Sequence, residues 1–226
     1  LIRGFSGFGL SAFVMSLALT IIPPIELIPV CWWMEFVASV FMIRNGWKDS
    51  DKKISIILWL GAVFGLPIGI ALTTILDFQT SKIVALVLIS MLALILLRNF
   101  KIQFLSTSVG TISSGVFAGV ATGLASIGGM IVAIYVLAIQ NSATRVRASL
   151  VLYIFLNSVT TFIFLILFDV MDHKAFVRGV LLAVPSSIGV VLGSILFMQK
   201  LEKYYRPFSL GLLISFSLVG LIRLTG

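Results

Sequence analysis

Polar chemistry is scarce in this sequence. Of 226 residues 11% are charged, eight of them acidic and sixteen basic, and there is one cysteine and one histidine. A lone cysteine, Cys31, excludes an internal disulfide and any cysteine-based metal cluster. His173 stands alone in a connection between apolar stretches. No His/Asp/Ser constellation, no glycine loop of the nucleotide-binding form and no metal-ligand spacing occurs, so the sequence offers no catalytic group, no cofactor site and no metal site. No secretory signal peptide is visible, and the chain begins with Leu1.

What the sequence does contain is hydrocarbon. It is 60% hydrophobic, with a mean hydropathy of +1.19, which excludes a water-soluble domain with a polar surface. Apolar stretches of about 17–25 residues recur along the chain, each long enough to cross a hydrocarbon core of about 30 Å. A transmembrane barrel needs alternating ten-residue segments, whereas Ile83 to Leu97 is apolar on every face. The expectation is an all-α polytopic membrane protein. The net charge of +8 does not imply nucleic acid, because most cations sit in short connections, where they set orientation in the bilayer.

Hydropathy and turn residues predict spans near 5–22, 27–44, 54–76, 82–98, 106–124, 125–140, 147–168, 175–198 and 207–224. The order of these segments repeats. A displacement of 119 positions superposes Gly4 on Gly123, Gly9 on Gly128, Phe36 on Phe155 and Ser39-Val40 on Ser158-Val159; one of 120 matches Ile68-Gly69 with Ile188-Gly189. The chain is therefore divided into a first transmembrane repeat, 1–103, and a second, 104–226. The span 106–124 has no counterpart in the first repeat, so a segment is expected to be missing before Leu1. If 106–124 and 125–140 cross separately, the halves are inverted, and twelve of the sixteen cations face the cytoplasm; if 106–140 crosses once, ten do. The positive-inside rule favours inversion.

Two glycine- and serine-rich clusters interrupt apolar runs: Ser6-Gly7-Phe8-Gly9-Leu10-Ser11 and Gly123-Leu124-Ala125-Ser126-Ile127-Gly128-Gly129. Such clusters weaken a helix at membrane depth, where unwound backbone is tolerated only if buried in protein or lining a cavity. A break also creates a helix N-terminus whose free N–H groups and positive dipole end hold anions. Two breaks at matching repeat positions are expected to meet near the membrane midplane. The competing reading is close helix packing, for which Gly115 to Gly119 is a literal GxxxG. Ser6, Gly7, Gly9, Ser11, Ser126, Gly128 and Gly129 are the candidate anion-binding residues.

Further polar side chains join them. Glu35 lies mid-span, where a carboxylate must be protonated or partnered; it is the candidate proton carrier, with an interhelical hydrogen bond, or a span placed so that Glu35 lies nearer an interface, as the alternatives. Arg147 opens a span and suits bidentate binding of sulfonate, sulfite or carboxylate oxygens, or it is an orientation anchor, as Arg145 is. Asn157 and Ser158 lie mid-span and either line a pathway or join helices. Trp32, Trp33, Trp47, Trp59 and Tyr204-Tyr205 read as interface anchors or packing groups.

These motifs resemble a known family. Gly4-Phe5-Ser6-Gly7-Phe8-Gly9, then Ile21-Ile22-Pro23-Pro24 and the Glu35 span, resemble the first repeat of the sulfite exporter TauE/SafE family. Gly123 to Gly129, Tyr135-Val136-Leu137 and Arg147 to Phe155 resemble the second. The sequence departs from the family where a GGG-rich segment is reduced to Gly7-Phe8-Gly9 and where Met130 replaces a proline. The resemblance implies a secondary transporter of the bacterial cytoplasmic (inner) membrane that exports a small sulfur-containing anion such as sulfite, sulfoacetate or a related organosulfonate. By position it implies a site made of the two glycine segments with Glu35 and Arg147. The partners are then a small anionic substrate and the lipid bilayer, with no nucleic acid and with a homo-oligomer left open. A passive anion channel and a membrane scaffold subunit are the alternatives.

Overall fold

The computed structural model describes residues 1–198, apart from 20, 78, 82, 86, 89–90, 92–106 and 141, and beyond them Tyr204, Tyr205, Phe208, Gly211 and Ser215. The described chain is helical. The order is α1 (Ile2–Ser6), α2 (Leu10–Ala18), α3 (Pro24–Asp49), α4 (Lys52–Ile75), α5 (Ser108–Ala125), α6 (Gly128–Ile139), α7 (Ala143–Leu167) and α8 (His173–Met198). Five of these, α3, α4, α5, α7 and α8, are long and apolar enough to cross a membrane. The expected spans 82–98 and 207–224 fall largely outside the described residues. The expected span 5–22 is not one helix but the pair α1 and α2.

Local sequence explains where the long helices begin. Pro24 opens α3, where its fixed φ suits the first turn and its missing N–H is not needed. The Asp51 carboxylate accepts from Ile54 N at the start of α4, and the Thr107 hydroxyl accepts from Gly110 N at the start of α5. The Ser142 hydroxyl faces Arg145 N at the start of α7, and Asp172 accepts from Ala175 N at the start of α8. Each side chain satisfies a donor that the first helical turn leaves without an intrahelical acceptor.

Glycine ridges set the closest packing. Gly61, Gly65 and Gly69 on α4 lie against the backbones of Ile112, Val116 and Val120 on α5, while Gly115, Gly119 and Gly123 lie against those of Leu58, Ala62 and Leu66. A Cβ at any of the six would collide with main-chain atoms, so α4 and α5 run parallel, backbone on backbone. The Thr73 hydroxyl reinforces the seam by donating to Gly123 O at 3.0 Å. Packing is thus the role of Gly115 to Gly123. A related contact joins α1 to α8, where Gly4 lies against Val190 and Ser194, and Gly193 against Leu1 and Gly4.

Of the five long helices α8 is the least buried: 22% of its apolar window is buried, against 56% for α3, α5 and α7. The last turn of α3 and the segment opening α7 line one cleft, which holds Lys48, Lys52 and Arg145. Helices α3 and α7 therefore run antiparallel, and the connections that carry these cations lie at the same end of the molecule.

Candidate functional site

Both helix breaks form where the sequence places them. Gly7 ends α1 at φ 82° and Gly9 begins α2 at φ 91°, left-handed conformations open to glycine at little cost. In the second half Ser126 ends α5 at φ 54°; a serine there carries roughly 1–2 kcal/mol of backbone strain. Ile127 then caps α6, whose first residues are Gly128 and Gly129.

The two breaks open into one cavity. It has a volume of about 40 Å³ and is bounded by Gly9 and Ser11 from the first break, Ser126 and Gly129 from the second, and Glu35 and Asn157 from α3 and α7. One water needs about 10–15 Å³ by this measure, so the space suits a few waters or one small oxyanion. Glu35 stands eleven residues from the start of α3 and fourteen from its end, and Asn157 stands fourteen and ten residues from the ends of α7. The cavity thus lies near mid-length of the bundle.

Its electrostatics are those of a donor-rich neutral pocket. The N–H groups of Gly128 and Gly129 belong to the first turn of α6 and have no intrahelical acceptor. Gly129 is open to the cavity: a Cβ there would meet only the Ile154 side chain, at 3.2 Å. Asn157 is 6% exposed; its Nδ2 faces Thr161 Oγ1 at 3.4 Å, and its Oδ1 has no protein partner. A half-turn of the amide exchanges oxygen and NH₂, so this side chain presents either group to an occupant. Thr122, Tyr153, Ser158 and Thr161 add hydroxyl-bearing lining, with the Tyr153 hydroxyl buried beside Thr122.

Glu35 is the one ionisable carboxyl group of the lining, and it is partnered. Its Oε1 accepts from Ser11 N at 3.2 Å and from Ser11 Oγ at 3.0 Å, so it caps the N-terminus of α2 from another helix. Its Oε2 lies 2.8 Å from Arg3 Nε. Arg3 is 1% exposed and donates from NH2 to Ser39 Oγ at 2.9 Å. This buried ion pair cancels the cavity's formal charge.

Among the described residues, the cavity lining includes Gly9, Ser11, Glu35, Ser126, Gly129 and Asn157, and does not include Ser6, Gly7, Gly128 or Arg147. Ser6 Oγ instead donates to Phe8 O at 2.7 Å, tying the break together. Gly7 packs against Arg147, and Gly128 against Thr122 and Ala118. Arg147 donates from Nε and NH2 to Gly4 O and from Nε to Phe5 O, the free carbonyls at the end of α1, and from NH2 to Ser194 Oγ at 3.0 Å. Its guanidinium also lies 4.5 Å from the Phe197 ring centre. Arg147 therefore anchors α1 rather than facing the cavity. Trp32 is a packing group, stacked between Phe36 and Phe162, with Nε1 donating to Ser158 O at 2.7 Å. Among the described residues no group of three or more His, Cys, Asp or Glu is placed to hold a metal ion.

The family model described as sulfite exporter TauE/SafE matches residues 1–220. The chain belongs to the TauE/SafE family. No curated protein and no solved structure matches it. As a member of TauE/SafE, it is a multi-pass membrane protein of a transporter family. Arg3, Thr122, Tyr153 and Thr161 are polar residues at or behind the cavity of this TauE/SafE protein that sequence reasoning missed. For Thr122 a signal existed, since it adjoins the glycine cluster; for Arg3 there was none, because a cation near a span's end reads as an orientation anchor.

Proposed function

We propose that this chain is a secondary transporter that exports a small sulfur-containing anion, such as sulfite, sulfoacetate or a related organosulfonate, across the bacterial cytoplasmic membrane. The observation that carries the reading is the single cavity into which a helix break from each half opens. An oxyanion there accepts from the N-terminal N–H groups of α6, whose dipole end is positive, and from the surrounding hydroxyl and amide groups. In the empty state the Arg3–Glu35 pair leaves the pocket without net charge. Glu35 is the group through which transport couples to the proton gradient.

The two halves, 1–103 and 104–226, are inverted repeats in this reading, and one rocks against the other to expose the cavity to either side. Two features support it. The corresponding helices α3 and α7 run antiparallel. The contact of Gly4 with Val190 is matched, at displacements of 119 and 120 along the chain, by that of Gly123 with Ile70.

Counterflow in proteoliposomes tests the function. Vesicles preloaded with unlabelled sulfoacetate or sulfite are expected to accumulate the labelled anion in a saturable manner, as alternating access requires. Anion conductance without counterflow would indicate a channel; neither activity would leave a scaffold subunit.

A further inference from the structure

The two anion-attracting helix ends at the cavity are not equivalent. Among the described residues no acidic side chain caps the start of α6: the position that corresponds to Glu35 in the second half is Ile154. The start of α2 is already occupied by an anion of the protein's own, the Glu35 carboxylate, on Ser11 N and Ser11 Oγ. Behind that carboxylate lies Arg3, with Nε against Glu35 Oε2 and NH1 buried without a hydrogen-bond partner. Glu35 lines the cavity and Arg3 does not, so the carboxylate stands between the cavity and the guanidinium.

We propose that Glu35 is a resident substitute for the cargo: the transported anion displaces its carboxylate from Ser11 and Arg3, and does so only as Glu35 takes up a proton. The inference rests on the transporter reading and supplies its coupling step. A carboxylate and a cargo anion compete for the same donors and repel each other across a cavity of about 40 Å³. Protonation removes the repulsion and weakens the hold on Ser11 N–H and on Arg3, which passes its charge and its spare NH1 donor to the oxyanion. One proton, drawn from the water on the loading side and carried on the Glu35 carboxyl, moves with each anion, so export runs on cargo accumulated inside the cell and works against an inward proton gradient. Arg3 is thereby a cargo ligand in the loaded state, although it is hidden in the empty one.

The surroundings leave Glu35 as the switching group. Arg3 faces it from α1, Cys31 lies one turn earlier on α3, and Tyr153 lines the cavity from α7. Arg147 and Tyr205 lie near Arg3. Helices α2 and α5 carry no ionisable side chain, and those of α8 are confined to His173, Lys174 and Arg178 in its first two turns.

The test is anion binding to the purified full-length chain by calorimetry, with thiosulfate and sulfoacetate as probes, because neither changes charge between about pH 6 and about pH 8. The expected result is uptake of about one proton per anion bound, and binding that weakens by up to about tenfold per pH unit over the range where Glu35 is ionised. Glu35→Gln is expected to bind with no such slope. Binding with no proton uptake by the unmodified protein, or the same slope in Glu35→Gln, overturns the displacement mechanism and leaves the transporter reading standing. Should Glu35→Gln fail to fold, the proton count on the unmodified protein decides alone. Failure of the unmodified protein to bind either anion at any pH overturns both.

Discussion

Glu35, in the middle of α3, receives the backbone N–H of Ser11 at 3.2 Å and its hydroxyl at 3.0 Å, and so caps a helix that begins beside the cavity. The same carboxylate meets Arg3, which makes one residue the junction of α1, α2 and α3. A buried charge of this kind is costly to strand.

Arg3→Met is therefore expected to lower stability by about 3–5 kcal/mol, the range for removing one partner of a buried ion pair. Arg3→Met combined with Glu35→Leu is expected to recover most of that loss. Thermal unfolding in detergent, run as a double-mutant cycle, gives the comparison. Additive losses would mean that the two side chains do not pair.

Arg147→Ala is expected to weaken the fold and not the site. It removes the donors to Gly4 O, Phe5 O and Ser194 Oγ, and charged hydrogen bonds are worth about 1.5–3 kcal/mol each at most. The variant should unfold several degrees lower while its folded fraction binds anion within about twofold of the unmodified protein. A large affinity loss at unchanged stability would place Arg147 among the cargo ligands.

Gly65→Leu drives a side chain into the backbone of Val116. Overpacking typically costs about 1–3 kcal/mol, and here the obstacle is main chain, so little folded protein should be recovered. Phe64→Leu, one residue away on the exposed face, is the control and should behave as the parent does by size-exclusion profile and unfolding temperature.

How much of this was legible in the sequence depended on whether the signal was local. A glycine break is written in adjacent residues, so both breaks, and the polar Ser11, Ser126, Gly129 and Asn157 that border the cavity, stood out from an apolar background. Glu35 stood out for the same reason. The partner that neutralises it did not, because Arg3 lies far from it along the chain and looks like any cation at a span's end. Arg147 is the opposite case: its chemistry suits an oxyanion, but nothing linear indicates that the carbonyls ending α1 take its donors. The ridge Gly61, Gly65 and Gly69 spells the same small-residue spacing as Gly115 to Gly123 and is equally readable.

Ser126→Gly separates strain from function. Glycine relieves the left-handed backbone at φ 54°, so stability should rise by roughly 1 kcal/mol, while loss of the hydroxyl from the cavity should weaken anion binding severalfold. Parallel unfolding and binding measurements check the opposite signs. A gain in both would remove the Ser126 side chain from the site.

The claim that the cavity between the breaks holds the cargo is tested most directly by Gly129→Ala. Its added methyl meets only the flexible end of Ile154 and otherwise takes cavity space. Thermal unfolding is measured for the parent and the variant with sulfite, thiosulfate, sulfoacetate and chloride. The parent should be stabilised by a sulfur anion and not by chloride, by about 2.7 kcal/mol at a hundred times the dissociation constant. The variant should match the parent without ligand and lose most of the shift with it. An equal shift in both proteins, or none in the parent with any sulfur anion, would contradict the account.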